Sequence, residues 1–316
     1  MLQPFRAISA ALVLGLSCAG QVAAQPQVAD PEGTVVSELV VQAVERGPAW
    51  WRISDADSTV YILGVPDGPV PPGVGWDRSA LERRLQGARV LIAEPTFAAG
   101  LRDIPAIFRL RAQMRSKVPM ETTLPTPLAA RYATVAGARA GKRANRYSDW
   151  QPMAAGAFLL RENRGGWSSI EPQVRRIARQ HGVKVERAAT YKAMPLAQTA
   201  VKNLTPQIQQ SCLGWALDDV EAGEGPARRA VEGWAKGDVA GALTAPRGFD
   251  KCLLILAGGA ELWSRMTEDE AGDIAAALKV PGHAVAVVGL RRLLAGNGVI
   301  ARLEAKGLSV KGPGEP

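Results

Sequence analysis

Two nearly continuous apolar runs, Thr59–Gly64 and Ala284–Gly289, stand near opposite ends of the chain. Runs of this kind predict strands covered on both faces rather than strands with one wet side. Trp50–Ser54 precedes the first run across the polar turn Asp55-Ala56-Asp57-Ser58, which predicts a hairpin. Arg89–Glu94 is a further apolar strand that ends in a carboxylate and is stopped by Pro95. Between these strands lie a Pro- and Gly-rich loop at 66–75 and a short helix with Leu81 and Leu85 as its apolar stripe. Asp77 or Ser79 would cap that helix, Glu82 would complete a capping box with Ser79, and Gly87 would stop it. Strand, helix, strand over about 35 residues predicts parallel strands joined by a right-handed crossover.

The middle of the chain changes to helical periodicity. Helices are expected over Ile104–Lys117, Leu128–Ala140 behind Thr126-Pro127, Ser148–Glu162 and Ile170–His181, followed by a strand at Val183–Glu186. Thr205-Pro206 opens another helix, running to about Glu221, and more follow at Ala227–Lys236 and Asp250–Arg265. Thr267–Glu270 reads as a capping box that opens a separate helix to Lys279. After the strand at His283–Gly289 come a loop, a helix at Gly298–Lys306 and a short strand at Leu308–Val310. The expected fold class is therefore α/β, with a mixed central sheet formed by the N- and C-terminal parts and a large helical middle layer or cap at about 101–280. Residues 49–310 form one domain in this reading, 25–48 a linker with a short helix near Val35–Glu45, and 311–316 a frayed tail.

The first 24 residues stand outside that scheme. Arg6, the apolar run Ala7–Leu16 and Val22-Ala23-Ala24 make a secretory leader with cleavage near Ala24. The run is too short for a comfortable membrane span. Lipidation at Cys18 is the lesser alternative, because Gly15-Leu16-Ser17 is a poor lipobox. The expected location is periplasmic or secreted, with no transmembrane segment in the mature chain. Export also bears on the remaining cysteines. Cys212 and Cys252 are an even pair in an oxidising compartment, so a disulfide is the natural reading and two separate buried thiols the alternative.

The chain has 316 residues, 47% hydrophobic and 22% charged, which is ordinary for a globular protein. Arg6 is the one charged residue of the leader, so its removal takes the formal charge from +8 to +7. Arg139, Lys142, Arg143 and Arg146 form one basic cluster, and Arg175, Arg176, Arg179 and Lys184 another. No aromatic residues interleave with them, and together with export this excludes a nucleic-acid role. Solvated helix faces explain them, with loose attraction to anionic envelope surfaces as the other use.

Candidate chemistry is sparse. His181, at a helix end, and His283, before a strand, are the two histidines, and neither has a partner at metal-ligand spacing. GxSxG, Walker, GxGxxG and CxxC patterns are absent. What remains are strand-end groups, where α/β proteins place ligands: Asp67, Glu94, Arg291 and Arg292. Two carboxylates there can bind a hard cation or act as an acid–base pair. The plainer alternative, favoured by the residues alone, makes Asp67 a turn residue and Glu94 the partner of an arginine.

A series of segments carries a family resemblance: Trp51-Arg52-Ile53-Ser54, Ser58–Gly64, Pro71–Arg78, Ala88–Glu94, Trp150-Gln151-Pro152, Ile170–Val174, Trp234–Asp238 and Val287–Gly307. In this order they resemble the TraB/GumN family, bacterial relatives of the Tiki metalloproteases. The resemblance implies a divalent-metal site built from two GxxH motifs and a glutamate. Glu94 matches the glutamate. The first motif stands here as Gly64-Val65-Pro66-Asp67 and the second as Gly289-Leu290-Arg291-Arg292, so both histidines are replaced. An arginine is always protonated and cannot ligate a metal. The expectation is an Asp67–Arg292–Glu94 ion-pair cluster in place of the metal, flanked by Gly64, Gly289 and Arg291. That implies an exported, catalytically degenerate protein that acts through binding and needs no cofactor. The alternatives are a metal-dependent hydrolase or protease that uses Asp67 and Glu94 with manganese, cobalt or zinc, and an envelope protein whose partner belongs to polysaccharide or protein export.

Overall fold

A computed structural model describes residues 47–138 and 145–315. The expected leader, most of the expected linker, Arg139, Lys142 and Arg143 lie outside the described residues. The strands are β1 (Trp50–Ser54), β2 (Ser58–Val65), β3 (Val90–Ala93), β4 (Thr96–Ala98), β5 (Lys184–Arg187), β6 (Thr190–Lys192) and β7 (Gly282–Gly289). The main sheet has the order β1-β2-β7-β3-β5. β1 and β2 form the antiparallel hairpin. Its turn is held by Asp55, whose Oδ1 accepts from the Ser58 amide at 2.8 Å and the Ser58 hydroxyl at 2.7 Å. β2, β7, β3 and β5 run parallel. The strand from the C-terminal part is thus inserted between two from the N-terminal part, which makes the sheet a joint product of both ends of the chain.

Alternation along these strands feeds two cores. Trp51, Ile53, Val60, Ile62, Ala284, Ala286 and Val288 face one layer, which contains the helices Gly259–Ala277 and Val299–Ala305. Leu63, Val65, Leu91, Val285 and Val287 face the other, with the helices Ser79–Leu85, Glu171–Gln180 and Glu224–Ala235. Both faces are covered, which is why the strands read as unbroken apolar runs. A separate core of Met120, Tyr132, Leu159, Leu213 and Leu217 joins the helices Thr126–Gly137, Pro152–Asn163 and Pro206–Ala222. Gly156 allows the last two to approach, since a Cβ there would lie 3.0 Å from Ala216 Cβ. Cys212 and Cys252 form a disulfide between the helices Pro206–Ala222 and Gly248–Ile255. No helix among the described residues is long and apolar enough to cross a membrane.

Several local expectations are corrected. Thr267–Glu270 opens no helix, because Gly259–Ala277 runs straight through it. The break falls earlier, at Gly258 with φ of +82°, so the expected Asp250–Arg265 helix is two helices. Ser79 makes no capping box. Asp77 Oδ1 instead accepts from the Ser79 amide at 2.9 Å. The expected loop after β7 contains the short helix Leu290–Leu294. Leu308–Val310 forms no strand; the neighbouring Lys311 exchanges backbone hydrogen bonds of 3.0 and 2.8 Å with Arg52, which tethers the start of the expected frayed tail. The β4–β6 pair and the helix Ala193–Lys202 carried no clear sequence signal. The strands of that pair have three residues each, too few to show a period.

Candidate functional site

The parallel register brings three strand ends together. Val65 of β2 pairs with Gly289 of β7, and Ile92 of β3 pairs with Ala286 of β7. Asp67 follows β2, Glu94 follows β3, and Arg292 sits in the short helix that starts after Gly289. Their side chains converge on the bare Cα of Gly289. A Cβ at 289 would lie 2.5 Å from Asp67 Oδ1, 3.3 Å from Glu94 Oε1 and 3.5 Å from Arg292 Nη2. Glycine is therefore required here by charged side chains occupying the space, not by backbone conformation. Gly64 answers a different need. A Cβ there would meet Leu290 Cδ1 at 2.7 Å and Trp51 Cζ3 at 2.8 Å, and its carbonyl accepts from Trp234 Nε1 at 2.7 Å. Gly64 thus lets the core close behind the site.

Arg292 is the centre of the charge arrangement. Its Nη2 donates to Glu94 Oε1 at 2.9 Å and to Glu270 Oε1 at 2.9 Å, and its Nε donates to Glu270 Oε2 at 2.9 Å. The Glu270 contact is bidentate, the strongest geometry a guanidinium offers. Arg292 and Glu270 are well buried, with 13% and 2% of their side chains exposed. Asp67 contributes differently. Its carboxylate accepts from the Arg291 amide at 3.1 Å and fixes the start of the short helix. The Arg291 side chain turns away and donates to the carbonyls of Leu243 and Ala245. Asp67 and Arg291 also line a narrow cleft with Arg164, Trp167 and Arg247.

The cluster has more acids than Arg292 can neutralise. Burial raises the Glu94 carboxyl from 4.5 to about 7, and repulsion from Glu270 and Glu171 adds to that shift against the attraction of Arg292. Burial also opposes the charge on Arg292, but Glu270, Glu94 and Asp67 outweigh it and hold the guanidinium more firmly protonated than usual. Glu171 pairs with Arg175 at 2.6 Å and Arg187 at 3.7 Å, and Arg187 also donates to the Glu94 carbonyl at 3.2 Å.

Sequence reasoning named Asp67, Glu94, Arg291 and Arg292 and missed Glu270, having assigned it to a helix cap. The available signal was its position in a buried stripe. Trp263, Thr267, Glu270, Ala271 and Ile274 share the inner face of one helix, and a carboxylate in such a stripe requires a buried cationic partner. The two histidines lie elsewhere. His283 pairs with Thr59 at the far end of the sheet and contacts the Arg84 carbonyl at 3.0 Å. His181 is exposed at the end of the helix Glu171–Gln180.

These residues do not fit a metal. Among the described residues, no group of three or more His, Cys, Asp or Glu is arranged to hold one. The guanidinium of Arg292 fills the gap between Glu94 and Glu270, where a cation would find its carboxylate oxygens.

Searches of the curated proteins and of the solved structures return no match. The TraB/PrgY/gumN family model matches residues 49–312, from just before β1 to just beyond the Lys311 tether. The chain belongs to the TraB/PrgY/gumN family.

Proposed function

We propose that this chain is an exported family member in which an ion-pair cluster replaces the metal centre and whose role is binding rather than hydrolysis. The observation that carries the reading is Arg292. It stands at the position of the second family histidine and is tied at three points to Glu94 and Glu270. A fixed positive charge there repels a divalent ion and fills its place. The scaffold that presents the strand ends is kept, and a kept scaffold with replaced ligands supports recognition without the family chemistry. Export rests on the leader at residues 1–24, and a partner in the cell envelope, of protein or polysaccharide-export origin, follows from that location.

The test is the metal content of the purified protein after incubation with manganese, cobalt and zinc. The expected result is no stoichiometric metal. Stoichiometric metal that is lost in Glu94→Ala would overturn the reading. It would assign the site to a metal-dependent hydrolase with Asp67 and Glu94 as ligands, the two carboxylates that meet at Gly289.

A further inference from the structure

The helix Ile104–Gln113 has no buried residue. Leu101, just before it, is 86% exposed and Phe108 is 66% exposed, and Ile104 and Ile107 are exposed beside them. At 100° per residue these four side chains share one face. The other side of the helix supplies Leu110 and Met114 to a groove of about 480 Å³, whose wall includes Phe97, Phe158, Leu196 and Leu253. Phe97 and Leu253 are themselves about half exposed. The apolar surface therefore continues from the helix into the groove, and contiguous apolar surface of this kind marks an interaction site where singly scattered residues do not.

The charge around this surface is predominantly positive. Between Leu101 and Val118 the bases are Arg102, Arg109, Arg111, Arg115 and Lys117, and Asp103 is the one acid. Arg115 pairs with Asp149, and Arg111 and Arg115 lie over the Trp150 ring. The exposed Arg102 and Arg109 border one edge of the apolar stripe. Large apolar side chains pointing outward with arginines at their margins are the composition of a helix lying in the plane of an anionic bilayer. A second copy of the chain is a poorer occupant. A two-fold contact pairs a patch with itself, so it would press the same arginines against each other.

We infer that this face docks on an anionic lipid bilayer. Leu101, Ile104 and Phe108 enter the headgroup–acyl boundary, Arg102 and Arg109 meet lipid phosphates, and the groove beside Met114 shelters displaced acyl chain. The inference is independent of the reading of the Arg292 cluster.

The experiment is vesicle flotation with phosphatidylcholine alone and with phosphatidylcholine mixed with phosphatidylglycerol. Both the full chain and the chain starting at Gln25 are used, so that the apolar leader is controlled. Binding to the phosphatidylglycerol vesicles alone is expected, weakening as salt is raised. Phe108→Asp and Leu101→Asp should each abolish it, and Arg102→Gln with Arg109→Gln should weaken it roughly tenfold or more. All four positions are exposed, so folding should persist, as checked by circular dichroism and thermal unfolding. Absence of binding by the chain from Gln25, equal binding to both vesicle types, or binding that survives Phe108→Asp would each overturn the proposal. So would a dimer seen by light scattering that Phe108→Asp splits, which would give the face to a second copy.

Discussion

Arg292 and Glu270 are joined by two parallel hydrogen bonds of 2.9 Å, Nε to Oε2 and Nη2 to Oε1, between a strand-end helix and the middle of a long helix on one face of the sheet. The bond fixes the helix Gly259–Ala277 to the crevice end of β7. The Glu94 carboxylate accepts from the same guanidinium, which is already engaged by Glu270.

Removing one partner of such a pair leaves the other buried with its charge uncompensated. Arg292→Met should therefore destabilise the protein by about 3–5 kcal/mol. Replacing both, Arg292→Met with Glu270→Leu, should cost clearly less than the sum of the two single changes, because no buried charge is stranded. Urea denaturation of the four proteins of this cycle measures it. Additive costs would show that the two side chains do not interact.

Gly289→Ala tests the convergence of the site directly. The new Cβ would stand 2.5 Å from Asp67 Oδ1. Asp67 would have to release the Arg291 amide, and the start of the short helix would shift. A loss of about 1–3 kcal/mol is expected, in the range of overpacked sites. Asp67→Ala in the same background should recover part of it. No recovery would place the strain somewhere other than the Asp67 contact.

The sheet was legible in the sequence because burial on both faces leaves unbroken apolar runs, as in Thr59–Gly64 and Ala284–Gly289. Asp67, Glu94 and Arg292 could be located because each follows such a run closely. Glu270 was hidden, since Thr267 and Glu270 have the spacing of a capping box, which masks the carboxylate's place in the apolar stripe. Only tertiary structure shows that Thr267 donates to the Trp263 carbonyl at 2.9 Å inside a continuing helix. The insertion of β7 between β2 and β3 was equally hidden, because strand order depends on pairings far apart in the chain. The helix Ile104–Gln113 was visible by its period, but the period alone does not say that its apolar side faces outward.

Glu94 should make stability fall as pH rises. Its folded value of about 7 lies above the ordinary 4.5, so the native state binds more protons than the unfolded state between these limits. The stabilisation is complete below about 4.5, is lost as pH rises through about 7, and is constant above. Its full size is at most roughly 3 kcal/mol. The difference in unfolding free energy between the wild type and Glu94→Gln, measured from acid to neutral pH, isolates it from other carboxylates. A difference independent of pH would show that Glu94 titrates alike in the folded and unfolded chain, and one that grows as pH rises would show that Arg292 holds it ionised.

The Cys212–Cys252 bond closes a loop with a sequence separation of 40. In the chain-entropy account this is worth roughly 4 kcal/mol. Both cysteines are fully buried, so reduction should be slow in the native protein and rapid near the unfolding midpoint. Cys212→Ala with Cys252→Ala should lower the midpoint in urea while leaving the Arg292 cluster intact. An unchanged midpoint would mean that residual contacts between these two segments already restrict the unfolded chain as much as the bond does.

Asp67→His with Arg292→His restores histidine at both GxxH positions while keeping Glu94 and Glu270. The fixed cation is then gone, and Glu270 is left as a buried carboxylate seeking positive charge, a need that a divalent ion can meet. The double variant should bind cobalt or zinc in a ratio near one per chain, read by cobalt absorption and by metal-dependent thermal stabilisation, whereas Arg292→His alone should bind more weakly. The wild type should show neither signal. If the double variant folds and still takes up no metal, the strand ends do not retain the geometry of the family centre, and the Arg292 cluster is then a structural joint with its own origin rather than a replacement for a metal.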